Sequence, residues 1–128
     1  MKKISVIALV VIVSALAGCA RTAPVLNVKH PITQHYSDNQ VKTAILEAGL
    51  ARHWVMTPTA PGVITGRLTQ REHSATIRVD YSATQYNITY VNSENLLAGH
   101  GDIHRNYNRW INNLDQDIQL RLSAQNLK

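Results

Sequence analysis

Three stretches in the middle of the chain alternate apolar and polar residues at a period of two, the pattern of strands with one buried face. In residues 63–70 the apolar set is Ile64, Gly66 and Leu68; in 74–81 it is Ala75, Ile77, Val79 and Tyr81; in 86–91 it is Tyr86, Ile88 and Tyr90. Residues directly opposite in an antiparallel pair share a face, so the pattern also predicts register. A hairpin closed around Arg71-Glu72 sets Ile64 against Val79, Gly66 against Ile77 and Leu68 against Ala75. A second, closed around 82–85, sets Tyr81 against Tyr86, Val79 against Ile88 and Ile77 against Tyr90. Both hairpins bury the same face of the strand they share. Arg71-Glu72 lacks the Gly or Asn that two-residue turns favour, which predicts a longer or bulged loop there. Residues 53–57 have strand composition and are expected to stop at Pro58, with Pro61-Gly62 turning the chain into the first hairpin.

A period of 3.6 takes over on either side. Ser37-Asp38-Asn39-Gln40 has the S-x-x-Q form of a capping box, and Val41, Ala44, Ile45 and Ala48 then form one stripe that ends near Gly49. After a break at 92–95 and a brief apolar return at Leu96-Leu97, Asp102 is placed to cap a longer helix. Its stripe is Ile103, Tyr107, Trp110, Ile111, Leu114, Ile118 and Leu122. One apolar sheet face and two apolar helix stripes predict a two-layer α+β domain over 37–128: an antiparallel sheet of three to four strands, both helices on one face, order α-β-β-β-β-α. The other face, with Thr65, Arg67, Thr76, Arg78, Asp80, Asn87 and Thr89, is left polar and open. Trp54 and Trp110 are expected as core anchors.

The first nineteen residues follow another logic. Lys2 and Lys3 precede an apolar run from Ile4 to Leu16, and small residues lead to Cys19. This is the layout of an export signal, and the run is shorter than the ~20 residues a membrane-crossing helix needs. Leu16-Ala17-Gly18-Cys19 resembles the lipobox of bacterial lipoproteins. The resemblance implies cleavage after residue 18, a diacylglyceryl group on the Cys19 thiol and usually a further acyl chain on its amine. Ala20, where an Asp would retain an enterobacterial lipoprotein in the inner membrane, implies the outer membrane, facing the periplasm. Two or three acyl chains hold a protein far more firmly than one. Residues 19–36 hold Pro24 and Pro31 and no sustained period, and read as a flexible tether letting the domain hang clear of the lipid.

Composition narrows the rest. Without Lys2 and Lys3 the chain has 11 basic and 8 acidic residues, a net charge of +3, too diffuse for a nucleic-acid footprint, and export argues against that partner as well. Cys19 is the only cysteine, so lipidation leaves neither a disulfide nor a thiol nucleophile. There is no Phe; two Trp and five Tyr supply the aromatic mass of the core.

Chemistry-bearing patterns are sparse. His100, Asp102 and His104 offer metal-ligand types, although Gly101 interrupts any helical spacing. The plainer expectation is a capped helix start, with no cofactor. Neither a nucleophile-elbow motif nor a carboxylate pair suited to glycoside cleavage is visible, and the chain is not expected to be an enzyme. Asn106, Asn108, Asn112 and Asn113, with Tyr107 and Trp110, could meet a cell-wall sugar or peptide, but solvated amides, or caps on backbone near the 92–95 loop, are the favoured expectation. Arg67, Arg78, Asn108 and Asn112 are the candidate binding surface. The chain also resembles a group of small bacterial lipoproteins, through His53-Trp54, Pro61-Gly62, Arg71-x-His73 with Ala75, Tyr86-x-Ile88-x-Tyr90, Ser93-x-Asn95-Leu96, Ile103-His104 and Tyr107-Asn108-x-Trp110-Ile111-x-Asn113-Leu114. That likeness carries no activity with it. The expected role is a non-enzymatic, outer-membrane-anchored module for binding or envelope assembly, held to the membrane by its acyl chains and meeting an envelope protein through the open face or an edge strand. Alternatives are a ligand or metal binder at the His100–His104 loop and a cell-wall-binding module.

Overall fold

The structure is a computed structural model that describes residues 21–126; the expected export signal and the expected acylation site Cys19 lie outside the described residues. The alternating stretches form β4 (Val63–Gln70), β5 (His73–Tyr81) and β6 (Gln85–Glu94), with all six predicted side-chain pairs in register. Ile64, Ile77, Val79, Tyr86 and Ile88 are fully buried, so the shared face is the core face. The first hairpin differs from expectation at its tip. Its loop is just Arg71-Glu72, closed by the Gln70 and His73 pair, and Arg71 takes the left-handed conformation with φ +57°. The second pairing shifts register between Thr76 and Ile77, leaving Val91 without an opposite residue and 49% exposed.

Helix α1 (Asp38–Ala51) begins with the predicted capping box: the Gln40 amide donates to Ser37 Oγ at 3.1 Å and the Ser37 amide to Gln40 Oε1 at 2.8 Å. Val41, Ala44, Ile45 and Ala48 are fully buried. Helix α2 (Arg105–Gln125) buries Tyr107, Ile111, Leu114, Ile118 and Leu122. The two helices pack on one another and close a single core over one face of the sheet. The α+β class therefore stands as read, and no helix among the described residues is long and apolar enough to cross a membrane.

The sheet is larger than expected, because it has five strands in the order β2 (Val28–Pro31), β6, β5, β4 and β3 (Val55–Ala60). Strand β3 (Val55–Ala60) runs through Pro58 instead of stopping there. It is an edge strand, where a missing N–H breaks no ladder, and a register shift between Pro58 and Ala60 accommodates the ring. His53 belongs to the turn before it, at φ +69°.

The expected tether is not one. β1 (Thr22–Pro24) pairs antiparallel with β7 (Asp102–His104), and β2 (Val28–Pro31) adds to the free edge of β6. Between them the Val25 amide donates to the Gly101 carbonyl at 2.9 Å, and beyond β2 the Ile32 amide reaches the Thr84 carbonyl at 2.8 Å. Val28 and His30 share the core-facing register with Ile88 and Tyr86. Pro24 and Pro31, which suggested a breaker-rich linker, each end a short strand. The domain thus starts at Thr22, not at residue 37.

Candidate functional site

The hydrogen-bonding groups nearest the core tie elements together. The Tyr86 hydroxyl of β6 donates to Asp115 Oδ1 of α2 at 2.5 Å, and Gln119 Nε2 donates to Asp115 Oδ2 at 3.2 Å. His30 stacks tilted on Tyr86, ring centroids 5.1 Å apart, so the cluster joins β2, β6 and α2. Burial first, and then the hydrogen bond and charge of Asp115, push the Tyr86 phenol well above the usual tyrosine range. Tyr107 is also raised, by burial first and by the neighbouring Tyr90 second. Its hydroxyl is buried without a hydrogen-bond partner among the described residues, and its ring meets Tyr90 edge-on at 5.5 Å. At the other end of the sheet, Asn95, at φ +59°, donates to the Glu72 carbonyl at 2.7 Å and places its own carbonyl 2.7 Å from His73 Nδ1. Glu72-His73 and Asn95 therefore meet as a clasp between a hairpin tip and the end of β6.

The His100–His104 loop is not assembled as a metal site. Asp102 does not cap the helix; it lies in β7, opposite Pro24. The cap is His104, whose Nδ1 accepts from the Asn106 amide at 3.1 Å. A nitrogen committed as a cap acceptor is not free as a ligand at the same time. His100 is exposed at φ +54°. Among the described residues no three His, Cys, Asp or Glu side chains come together as metal ligands.

The asparagines of α2 divide by position. Asn108 is not part of an open binding surface: its Oδ1 accepts from the Leu26 amide at 3.0 Å and its Nδ2 donates to the Pro24 carbonyl at 2.9 Å. Asn112 is exposed. Asn113 lines a small cleft of about 210 Å³ with Trp54, Leu68, Gln70 and Trp110. Trp54 is buried, as expected of a core anchor, whereas Trp110 is half-buried, one part against the core and one part in that cleft.

The uncovered sheet face gathers polar side chains from neighbouring strands. Cross-strand register places Arg67 between Val55 and Thr76, and Arg78 between Thr65 and Thr89. The two arginines differ. Arg78 is neutralised by Asp80, with Nη2 at 2.9 Å and Nε at 3.0 Å from one carboxylate oxygen. Arg67 is held by hydroxyls, donating to Thr76 Oγ1 at 3.3 Å, and makes no ion pair with another described residue. Val55, its neighbour on β3, is 69% exposed. A flat field of threonine hydroxyls with one uncompensated guanidinium and an apolar neighbour suits hydrogen bonding to a polar partner surface. Both sheet edges carry a proline, Pro31 on β2 and Pro58 on β3, which protects them against added strands.

The roles of Asn108 and Asp115 are set by contacts across the fold, with no local motif to mark them, whereas His104 caps the amide two residues on. No protein-family model matches the chain, and no curated protein matches it.

Proposed function

We propose that this chain is an outer-membrane lipoprotein, acylated at Cys19 and facing the periplasm, that works without catalysis by binding an envelope protein through its uncovered sheet face. The observation that carries the binding role is Arg67. It is a charged group without a counter-ion among the described residues, set among threonine hydroxyls beside an exposed Val55. Prolines on both outer strands favour the face over an edge strand as the contact. The non-catalytic part is supported by how the reactive side chains are spent: His104 caps α2, His73 bonds to Asn95, and Asp115 accepts from Tyr86. The anchor rests on the lipobox resemblance and the export signal before it.

The test is photocrosslinking in cells, with a photoreactive residue at Thr65 on the open face and a control at Leu120, which is exposed on α2. A discrete adduct from Thr65 that is lost on Arg67→Glu supports the reading; an adduct from Leu120 alone overturns the choice of face. Intact-mass measurement of the purified protein tests the anchor, expecting loss of residues 1–18 and added acyl mass.

A second reading is favoured by the cleft at Trp110. An indole edge with the amides of Gln70 and Asn113 suits a sugar or a wall peptide. Sedimentation with purified cell wall, reduced by Trp110→Ala, distinguishes it.

A further inference from the structure

Thr22, already paired with His104, is three positions after Cys19, and three residues span at most about 11 Å however they are arranged. A domain acylated at Cys19 has no slack with which to leave the membrane. We infer that the end of the domain carrying β1, β7 and the start of α2 docks on anionic phospholipid, with Arg21, Arg105 and Arg109 at the headgroups and Leu97 in the headgroup boundary. The inference rests on the acylation of Cys19 proposed above.

The register places the charges. Arg21 and Arg105 each lie one position beyond the Thr22 and His104 pair, so they emerge side by side. Arg109 follows one turn later, about 6 Å along the axis of α2. All three are exposed, and none forms an ion pair among the described residues. Once docked, they would sit within roughly a screening length of the headgroup layer, about 8 Å at physiological salt, where the attraction is felt. The amino end of α2 adds a positive partial charge on the same side. Glu94 and Asp102 are at this end too, and Glu72 offsets Arg71, so the net field is small and the docking is sensitive to salt.

Leu97 gives the second, independent observation. It is 59% exposed and has φ +56°, a conformation a leucine side chain rarely takes. Leu96 beside it is buried, and the Leu96 carbonyl accepts from the His104 amide at 2.7 Å, which fixes Leu97 next to β7. The chain is thus held in an unfavourable backbone conformation with an apolar side chain in water, beside the strand that pairs with Thr22. A lipid boundary removes the exposure. Strand β6 runs from Gln85 at the far end to Glu94 at this one, a length of about 30 Å, so the sheet stands up from the membrane and its open face points sideways.

Because Cys19 is the only cysteine, Leu97→Cys in the acylated full chain offers a single site for a nitroxide label, and Gln85→Cys a control. The labelled proteins are placed in phosphatidylcholine vesicles with or without phosphatidylglycerol. Collision with oxygen and with a water-soluble nickel complex then reports depth. With anionic lipid the label at 97 should favour oxygen and the label at 85 should stay in water. Arg21→Gln, Arg105→Gln and Arg109→Gln should each lower the docked-to-free ratio about fivefold, and together about a hundredfold. A label at 97 that stays in water on a protein whose mass shows acylation overturns the docking alone. A mass showing Cys19 unmodified overturns the anchor, and the docking with it.

Discussion

Asn108 holds Leu26 in place from the first turns of α2: its Oδ1 accepts the Leu26 amide proton at 3.0 Å, while its Nδ2 donates to the Pro24 carbonyl two residues back. One side chain thus supplies both a donor and an acceptor to the irregular backbone between β1 and β2, where neither ladder can.

Asn108→Ala is expected to cost about 1–2 kcal/mol, for one part-buried hydrogen bond and one exposed one at roughly 1 kcal/mol or less each. Asn108→Asp keeps the acceptor but loses the donor, and should cost less than the alanine change. Urea unfolding measures both. Amide exchange at Leu26 should quicken in Asn108→Ala well before exchange in β5 does.

The two raised tyrosines predict how stability depends on alkaline pH. A phenol whose folded pKa lies above its unfolded value of 10.0 favours the protonated form in the fold, so its contribution is complete below pH 10 and is lost as pH rises beyond it. With both buried phenols held neutral, stability should fall by up to about 2.7 kcal/mol per pH unit above pH 10. Phenolate absorbance should show two of the five tyrosines ionising only as the protein unfolds. Tyr86→Phe with Tyr107→Phe should flatten the slope. A slope unchanged by both substitutions would contradict the assignment.

Met56 is wedged between α1 and the sheet. A Cβ added at Gly49 would overlap Met56 Cγ, and one at Gly66 would come within 2.8 Å of Met56 Sδ and 3.0 Å of Ile77 Cγ1. Gly49→Ala removes a poor helix residue, worth about 1 kcal/mol if nothing else changed. Overpacking should reverse the sign, for a net loss of about 1–2 kcal/mol. The double variant with Met56→Ala should recover part of it relative to Met56→Ala alone, a coupling that a double-mutant cycle reads directly.

Arg71 is the first residue of a two-residue loop and sits at φ +57°. Glycine takes that conformation without steric cost. Arg71→Gly should therefore raise stability by up to about 1 kcal/mol at a site where glycine normally lowers it. Thermal unfolding would show a higher midpoint, and no change or a decrease would mean the loop relaxes to another turn.

The sheet centre was legible in the chain because its information is local. Ile64, Ile77, Val79 and Ile88 alternate within their own strands, and two hairpins that must agree on one buried face leave a single register. The Ser37 capping box and the stripe from Val41 to Ala48 are equally short-range. The candidate site was less legible. Arg67 and Arg78 look alike in sequence, and only the position of Asp80 separates a neutralised guanidinium from a free one.

The sequence by itself determined the register of three strands and the inward faces of two helices, since each depends on spacing within about a dozen residues. Tertiary structure decided that 22–31 form strands rather than a tether, that His104 rather than Asp102 caps α2, and that Asn108 faces the chain's own backbone rather than a ligand. The partners of Leu26 and of Thr22 lie 82 positions along the chain in both cases. Hydrogen bonds over that separation leave no periodicity in either segment: a short edge strand is satisfied by whatever unpaired carbonyls and amides the finished core presents, and those exist only once the sheet and α2 have closed together.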